Sequence, residues 1–257
     1  MSADQTVLYS VDGAVARVTL NRPEKRNALN DAVIAGMKRG LKEAAKDKSV
    51  RVVVISGAGK DFCSGADLSA LQKIANASVA ENAEDARLLL ELFLLIRQLP
   101  VPVIAAVTGR ALAGGCGLAT ACDVVLAASS ARFGYPEVKI GFVPAMVMAI
   151  LRRNVSEKRA FELITRGAEI SADEAKEFGL VNQVFADDVF VDDVNQYVAE
   201  FGKMSASAIG LTKTLLYQMD GMSFPEALET GADINVIARL TDDCQQSIAK
   251  FLSKNSE

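Results

Sequence analysis

Histidine is absent from this 257-residue chain, and so is tryptophan. The missing histidine narrows the chemistry most, because it removes Ser/His and Cys/His nucleophilic pairs, imidazole metal ligation and any base whose resting pKa lies near neutrality. An acid or base must then be a carboxylate, a lysine, a tyrosine or a cysteine. Cysteine is sparse as well: Cys63, Cys116, Cys122 and Cys244 form no CxxC pair. They sit mostly among apolar or small residues, so reduced, unreactive thiols are expected rather than disulfides, a zinc site or a nucleophile. No apolar run approaches the roughly 20 residues of a membrane span. Met1 to Ser10 lacks a charged-then-apolar leader pattern, so a cytoplasmic protein is expected. The net charge is -4 with no dense Lys/Arg cluster, which gives no electrostatic footprint for nucleic acid or an anionic membrane.

What is present is core-forming material, at 50% hydrophobic residues, enough for one large domain. Thr6 to Ser10 and Ala14 to Leu20 flank Asp12-Gly13 and predict a β-hairpin. Asn30 and Asp31 offer caps for an amphipathic helix to about Lys46. The runs Arg51 to Ile55 (RVVVI) and Val101 to Val107 (VPVIAAV) are short and mainly apolar, as in strands covered on both faces. Helices are predicted near Asp85 to Gln98, Gly115 to Cys122, Ala145 to Arg153, Ser156 to Arg166 and Ala172 to Phe178, with a strand over Asp123 to Ala127. Strand and helix alternate to about Val184. From Asp188 onward the periodicity is helical only. The expected class is α/β, with a core over residues 1–187 and a helical region over 188–257.

Two glycine-bearing turns carry the chemistry. Gly109 to Ala119 (GRALAGGCGLA) leads from a strand into a small-residue helix whose first N–H groups have no intrahelical acceptor. Phe62 to Leu68 (FCSGADL) repeats that arrangement after an earlier strand. Two free amides converging on one oxygen make an oxyanion hole. Glycines 114, 115 and 117 have a plainer explanation, close packing of helix on sheet, which the pairing with the second turn outweighs. The spacing fits neither the dinucleotide fingerprint, because Thr120 stands at its third small-residue position, nor a P-loop, which needs Gly-Lys-Ser/Thr. Asp67 reads as a helix cap rather than a catalytic carboxylate. Glu137 follows Tyr135-Pro136, which holds the approach extended. Its apolar neighbours Phe133, Val138, Ile140 and Phe142 would raise its pKa toward that of a general acid and base.

These segments, together with NRPEKRNAL at 21–29, FGYPE at 133–137 and ISADEA at 170–175, resemble the crotonase superfamily, the enoyl-CoA hydratase and isomerase fold. The resemblance implies a crotonase-like spiral of β-β-α repeats and a C-terminal helical region that builds homotrimers, often paired into hexamers. It implies an acyl-CoA thioester substrate and neither metal nor separate cofactor, coenzyme A being part of the substrate. It places the thioester oxygen on the amides of Ala66 and Gly114. It assigns proton transfer to Glu137 and substrate contacts to Lys25, Arg26, Ala28, Asp67, Leu68, Gly117, Tyr135 and Pro136, with Phe251 and Lys254 at the adenosine end. Tyr135 is read as shaping the acyl pocket.

One departure matters. Typical hydratases of this family carry a glutamate where this chain has Gly117, so Glu137 alone remains of the usual two carboxylates. A single carboxylate suffices for a 1,3 proton shift. Hydration is also compatible with it, through a water held near Gly117. Motif wording, especially GRALAGGCGLAT and KIGFVP, resembles enoyl-CoA and methylglutaconyl-CoA hydratases most and tips the reading toward a 2-enoyl-CoA hydratase ahead of a Δ3,Δ2-enoyl-CoA isomerase, with a non-catalytic acyl-CoA-binding or scaffold relative third. Ser69 stands where many relatives carry a basic residue, and Leu71 where methylglutaconyl-specific relatives can carry an arginine for a distal carboxylate, which speaks against that substrate unless Lys73 or Arg87 substitutes. The pocket wall, drawn from Ala83 to Leu95 and Met146 to Ile150, is mainly apolar, which suggests an aliphatic or otherwise neutral acyl group.

Overall fold

The computed structural model describes residues 6–254. The predicted hairpin forms as β1 (Val7–Asp12) and β2 (Val15–Leu20), antiparallel about Gly13, which has the positive φ of +56° that this turn requires. Next comes α1 (Asp31–Lys46), capped by Asn30, whose side chain accepts from the Val33 N–H. Strand β3 (Val52–Gly57) then lies parallel to β2. From there the main sheet grows by one parallel strand per turn of chain, through β4 (Val103–Val107), β6 (Val124–Ala128) and β9 (Gln183–Phe185), in the order β1-β2-β3-β4-β6-β9. A second sheet, β5-β7-β8, takes one short strand after each of β4 and β6: β5 (Arg110–Leu112) and β7 (Arg132–Gly134) run parallel, and β8 (Glu169–Ser171) closes them antiparallel.

This is the β-β-α rhythm in physical form. Two turns of chain, β4 with β5 and β6 with β7, each place one strand in each sheet and then lead into a helix. The helices are α2 (Leu68–Asn76) and α3 (Val79–Gln98), then α4 (Gly114–Ala121), then α5 (Ala145–Asn154) and α6 (Glu157–Arg166), and α7 (Ala172–Glu177). The three-residue strands were not anticipated, so the glycine-rich motif starts from β5 rather than directly from β4. Helix α3 begins six residues before the expected Asp85, because Ser78 and Glu81 form a reciprocal capping box there. Strand β4 begins at Val103 rather than Val101, since Pro102 has no N–H to give the ladder.

The core sits between the sheets and α1, α3 and α4, with Met37, Phe62, Leu92, Ile96, Leu118 and Phe133 fully buried. A second cluster covers the opposite face of the main sheet, where Phe190, Val194 and Val198 of α8 (Phe190–Ala199) pack on Val52, Val54, Ile104 and Leu126. The chain continues helical through α9 (Ala206–Gln218), α10 (Phe224–Arg239) and α11 (Asp242–Lys254).

Helix α9 is fastened to the core by a buried polar network. Lys213 donates to Asp123 at 2.6 Å and to the carbonyls of Ile96 and Val101, while the Tyr217 hydroxyl donates to the other Asp123 oxygen at 2.6 Å. The Asp123 carboxylate also accepts from the Val103 N–H. With donors and acceptors matched, the buried charges are compensated, as burial of this kind requires. No helix among the described residues is long and apolar enough to cross a membrane.

Candidate active site

The two glycine-bearing turns are laced together by main-chain hydrogen bonds: Cys63 N–H donates to Arg110 O, and Leu112 N–H donates back to Cys63 O. The contact is so close that a Cβ on Gly115 would stand 2.3 Å from the Cys63 carbonyl oxygen, so only glycine fits there. A Cβ on Gly65 would be 3.7 Å from the Gly114 nitrogen, which sets the backbone of the first turn against the first amide of α4. The flanking amides are occupied: Asp67 N–H bonds Leu29 O, and Ala113 N–H bonds Gly134 O. The amides of Ala66 and Gly114 have no backbone acceptor among the described residues. Both residues line the same cavity, of about 710 Å³. Two N–H groups without a backbone acceptor thus come from adjoining turns that border one cavity.

Ala113 bears the strain of this presentation, with φ 51° and ψ -128° at the N-cap of α4. A side chain at such a φ/ψ costs about 1–3 kcal/mol. Ala113→Gly is therefore expected to raise stability by about 1 kcal/mol, read as a shifted urea midpoint at unchanged slope.

The first turn has its own frame. Arg22 pairs with Asp67 at 2.7 Å and donates to the Ala28 carbonyl, and the fully buried Asn27 side chain donates to the Ala58 and Asp61 carbonyls. Asp67 also accepts from the Ser69 N–H at 3.0 Å, capping α2. These bonds hold its carboxyl below the usual carboxylate range, the Ser69 amide contributing most and Arg22 next. Arg22 and Asn27 were missed in the sequence. Their partners lie too far along the chain for any local pattern to signal them.

Glu137 lies on the 3-10 turn Pro136–Ile140 that follows β7. It lines the cavity and is half-buried, and its Oε2 is wholly buried without a hydrogen-bond partner among the described residues. Burial pushes its pKa up, and its own backbone amide only partly opposes this. Behind it lies Tyr135, buried, its hydroxyl 3.2 Å from that of Thr120. Tyr135 thus supports the turn rather than forming part of the cavity wall. Cys63 and Cys116, also fully buried, have thiols pushed up to about 12 by desolvation, which keeps them un-ionised and poor nucleophiles.

Of the residues singled out in the sequence, Ala66, Gly114, Pro136 and Glu137 meet in this cavity. Ala28 is buried beside Leu29, which does line it. Gly117 does not reach the cavity, because Val147 of α5 covers it: a Cβ on Gly117 would lie 2.1 Å from Val147 Cγ1. Leu68, the first residue of α2, is largely exposed and off the cavity wall, and Lys25 and Arg26 are exposed around the 3-10 turn Pro23–Lys25. Phe251 borders a separate hollow of about 480 Å³, shared with Ser205 of the α9 N-cap and Ile248 of α11. Lys254 closes α11, and its side chain lies outside the described part of the structure.

Comparison with known proteins gives a consistent picture. Residues 10–257 match the family model described as enoyl-CoA hydratase/isomerase. A Thermus thermophilus protein named a candidate enoyl-CoA hydratase is 39% identical over 242 residues, covering 94% of this chain and 96% of its own. The 2,3-dehydroadipyl-CoA hydratase of Escherichia coli is 35% identical over 251 residues, covering 97% and 96%. The crystal structure of an enoyl-CoA hydratase from Mycobacterium smegmatis superposes with a TM-score of 0.93 at 32% identity, covering 98% of this chain and 97% of its own.

Proposed function

The chain belongs to the enoyl-CoA hydratase/isomerase family, and from that premise we propose that it hydrates a 2-enoyl-CoA reversibly through a thioester enolate, with Glu137 as its one proton carrier. The observation that carries this reading is the Glu137 carboxylate, one oxygen buried and unpartnered, in the same cavity as two unoccupied amides. In the forward direction, ionised Glu137 takes a proton from water as the water oxygen bonds C3. The C2–C3 π electrons pass to the thioester oxygen, where the Ala66 and Gly114 amides receive the charge. The enolate then collapses and takes the proton from Glu137 at C2, which regenerates the carboxylate. Each amide donor of this kind is worth about 10²- to 10³-fold in rate. Coenzyme A enters only as part of the substrate.

A second reading, Δ3,Δ2 isomerisation, has its own support. Gly117 supplies no second carboxylate, and Val147 fills the place that a side chain there would take. A lone Glu137 could remove a proton from C2 of a 3-enoyl-CoA and return it at C4. Incubation with 2-enoyl- and 3-enoyl-CoA in ¹⁸O-labelled water separates the two. Hydration yields a 3-hydroxyacyl thioester carrying ¹⁸O, whereas double-bond migration without label would replace the first reading by the second. No turnover of either would leave an acyl-CoA-binding or scaffold role.

Self-assembly belongs to the same proposal. Leu216, Phe224, Leu228, Val236 and Leu240 expose apolar surface on α9, α10 and their borders, as a chain with a subunit interface would. A trimer or hexamer is the expected mass by light scattering, and a monomer would contradict it.

A further inference from the structure

One part of the cavity wall is apolar over Ile34, Leu71, Ile74 and Leu89, and two carboxylates, Asp31 and Asp85, also line the cavity. The cation nearest to them is already engaged. Lys73 of α2 sits 2.9 Å from Asp31 Oδ2 and 4.0 Å from Asp85 Oδ1, with Glu84 adding a further negative field, and Lys73 is not itself among the lining residues. Asp31 and Asp85 therefore share one ammonium, in a part-exposed setting where the Lys73 and Asp31 side chains are about half exposed. Lys139, on the Glu137 turn, is the remaining cation on the wall. Its stem runs toward Gly167, where a Cβ would meet Lys139 Cε at 3.3 Å.

Building on the acyl-CoA reading above, we propose that Asp85 and Asp31 make this site select against acyl chains that end in a carboxylate, and so commit it to neutral, aliphatic acyl thioesters. The physical basis is repulsion. An ω-carboxylate entering beside Asp85 would meet like charge, with the Lys73 ammonium already shared between Asp31 and Asp85. Between part-exposed carboxylates such juxtaposition discriminates by about fivefold. A neutral chain loses nothing by the same contact and buries its methylenes against Leu71, Ile74 and Leu89.

The test is a ratio: kcat/KM for 2-hexenoyl-CoA over that for its ω-carboxylated counterpart of equal length. Wild type is expected to favour the neutral thioester by about fivefold. Asp85→Asn removes one repelling charge and loosens the hold on Lys73, so the ratio should fall to about twofold. Lys73→Met leaves the acids unopposed, so the ratio should rise. A wild-type ratio near unity, or a ratio that neither variant moves, overturns the proposal. Calorimetric Kd values for hexanoyl-CoA and adipoyl-CoA provide a readout independent of turnover. If no thioester reacts but hexanoyl-CoA still binds better than adipoyl-CoA, the reaction assignment fails while charge selection stands; equal Kd values sink charge selection alone.

Discussion

Glu137→Gln is expected to lower kcat by about 10³-fold, within the range spanned by general acid–base groups, while KM changes little. The amide keeps the shape of the side chain and its contact with the cavity, so binding of the thioester, which depends on the Ala66 and Gly114 amides and the apolar wall, is retained. Only the proton shuttle is lost. Both the hydration and the isomerisation schemes begin with this carboxylate ionised, and burial holds its pKa above the ordinary glutamate value of about 4.3. The acid limb of kcat/KM against pH should therefore lie above that value and vanish in the variant. The stability effect has the opposite sign. A carboxylate whose folded pKa is raised binds its proton more tightly in the native state, so its contribution favours folding at low pH and is lost as pH rises through the folded pKa. At neutral pH the ionised Glu137, with a buried and unpartnered oxygen, opposes folding. Glutamine, having no charge to ionise, should leave the variant equally or more stable in urea at pH 7. A variant that lost activity and stability together would point to a structural carboxylate instead.

That opposition of activity and stability also explains why so much of the site could be read in the sequence. The features that hold charge or expose amides have local signatures: glycines at the two turns, Pro136 before Glu137, and caps at Asn30 and Asp67. Capping arises within three or four residues, so the chain states it plainly. The strands β5, β7 and β8 were not legible, since three residues are too few to establish an alternation. The same holds for contacts that join distant segments. Arg22 with Asp67, Lys73 with Asp31 and Asp85, Lys213 with Asp123 and Val147 over Gly117 each depend on how the spiral stacks its turns. Of these, the last changes the chemical reading. Gly117 seen in sequence is a missing carboxylate; in the folded chain it is the floor beneath a valine.

Gly117→Glu should consequently destabilise the protein severely rather than restore a second catalytic carboxylate. Its Cβ alone would stand 2.1 Å from Val147 Cγ1 and 3.4 Å from the Phe93 ring edge, inside a helix that is buried over nearly its whole length. Overpacking of this kind costs about 1–3 kcal/mol, and a carboxylate forced into the gap without partners adds about 1–3 kcal/mol or more. A loss of about 4 kcal/mol corresponds to a fall of roughly 10 °C in Tm for a chain of this size. Val147→Ala alone opens a small cavity and should cost about 2 kcal/mol. If the two side chains compete for one volume, their effects cannot add: the double variant Gly117→Glu/Val147→Ala should be more stable than the sum of the single losses by about 1–3 kcal/mol. Strict additivity in a urea double-mutant cycle would mean that Val147 does not occupy the space above residue 117. The same variant carries a chemical readout. With Val147 trimmed, the new carboxylate faces the cavity that Val147 shares with Glu137, where it can hold the attacking water while Glu137 protonates C2. Its ratio of ¹⁸O incorporation to double-bond migration should exceed that of the wild type. An unchanged ratio in a folded double variant would show that water is positioned by Glu137 without help from this side of the cavity.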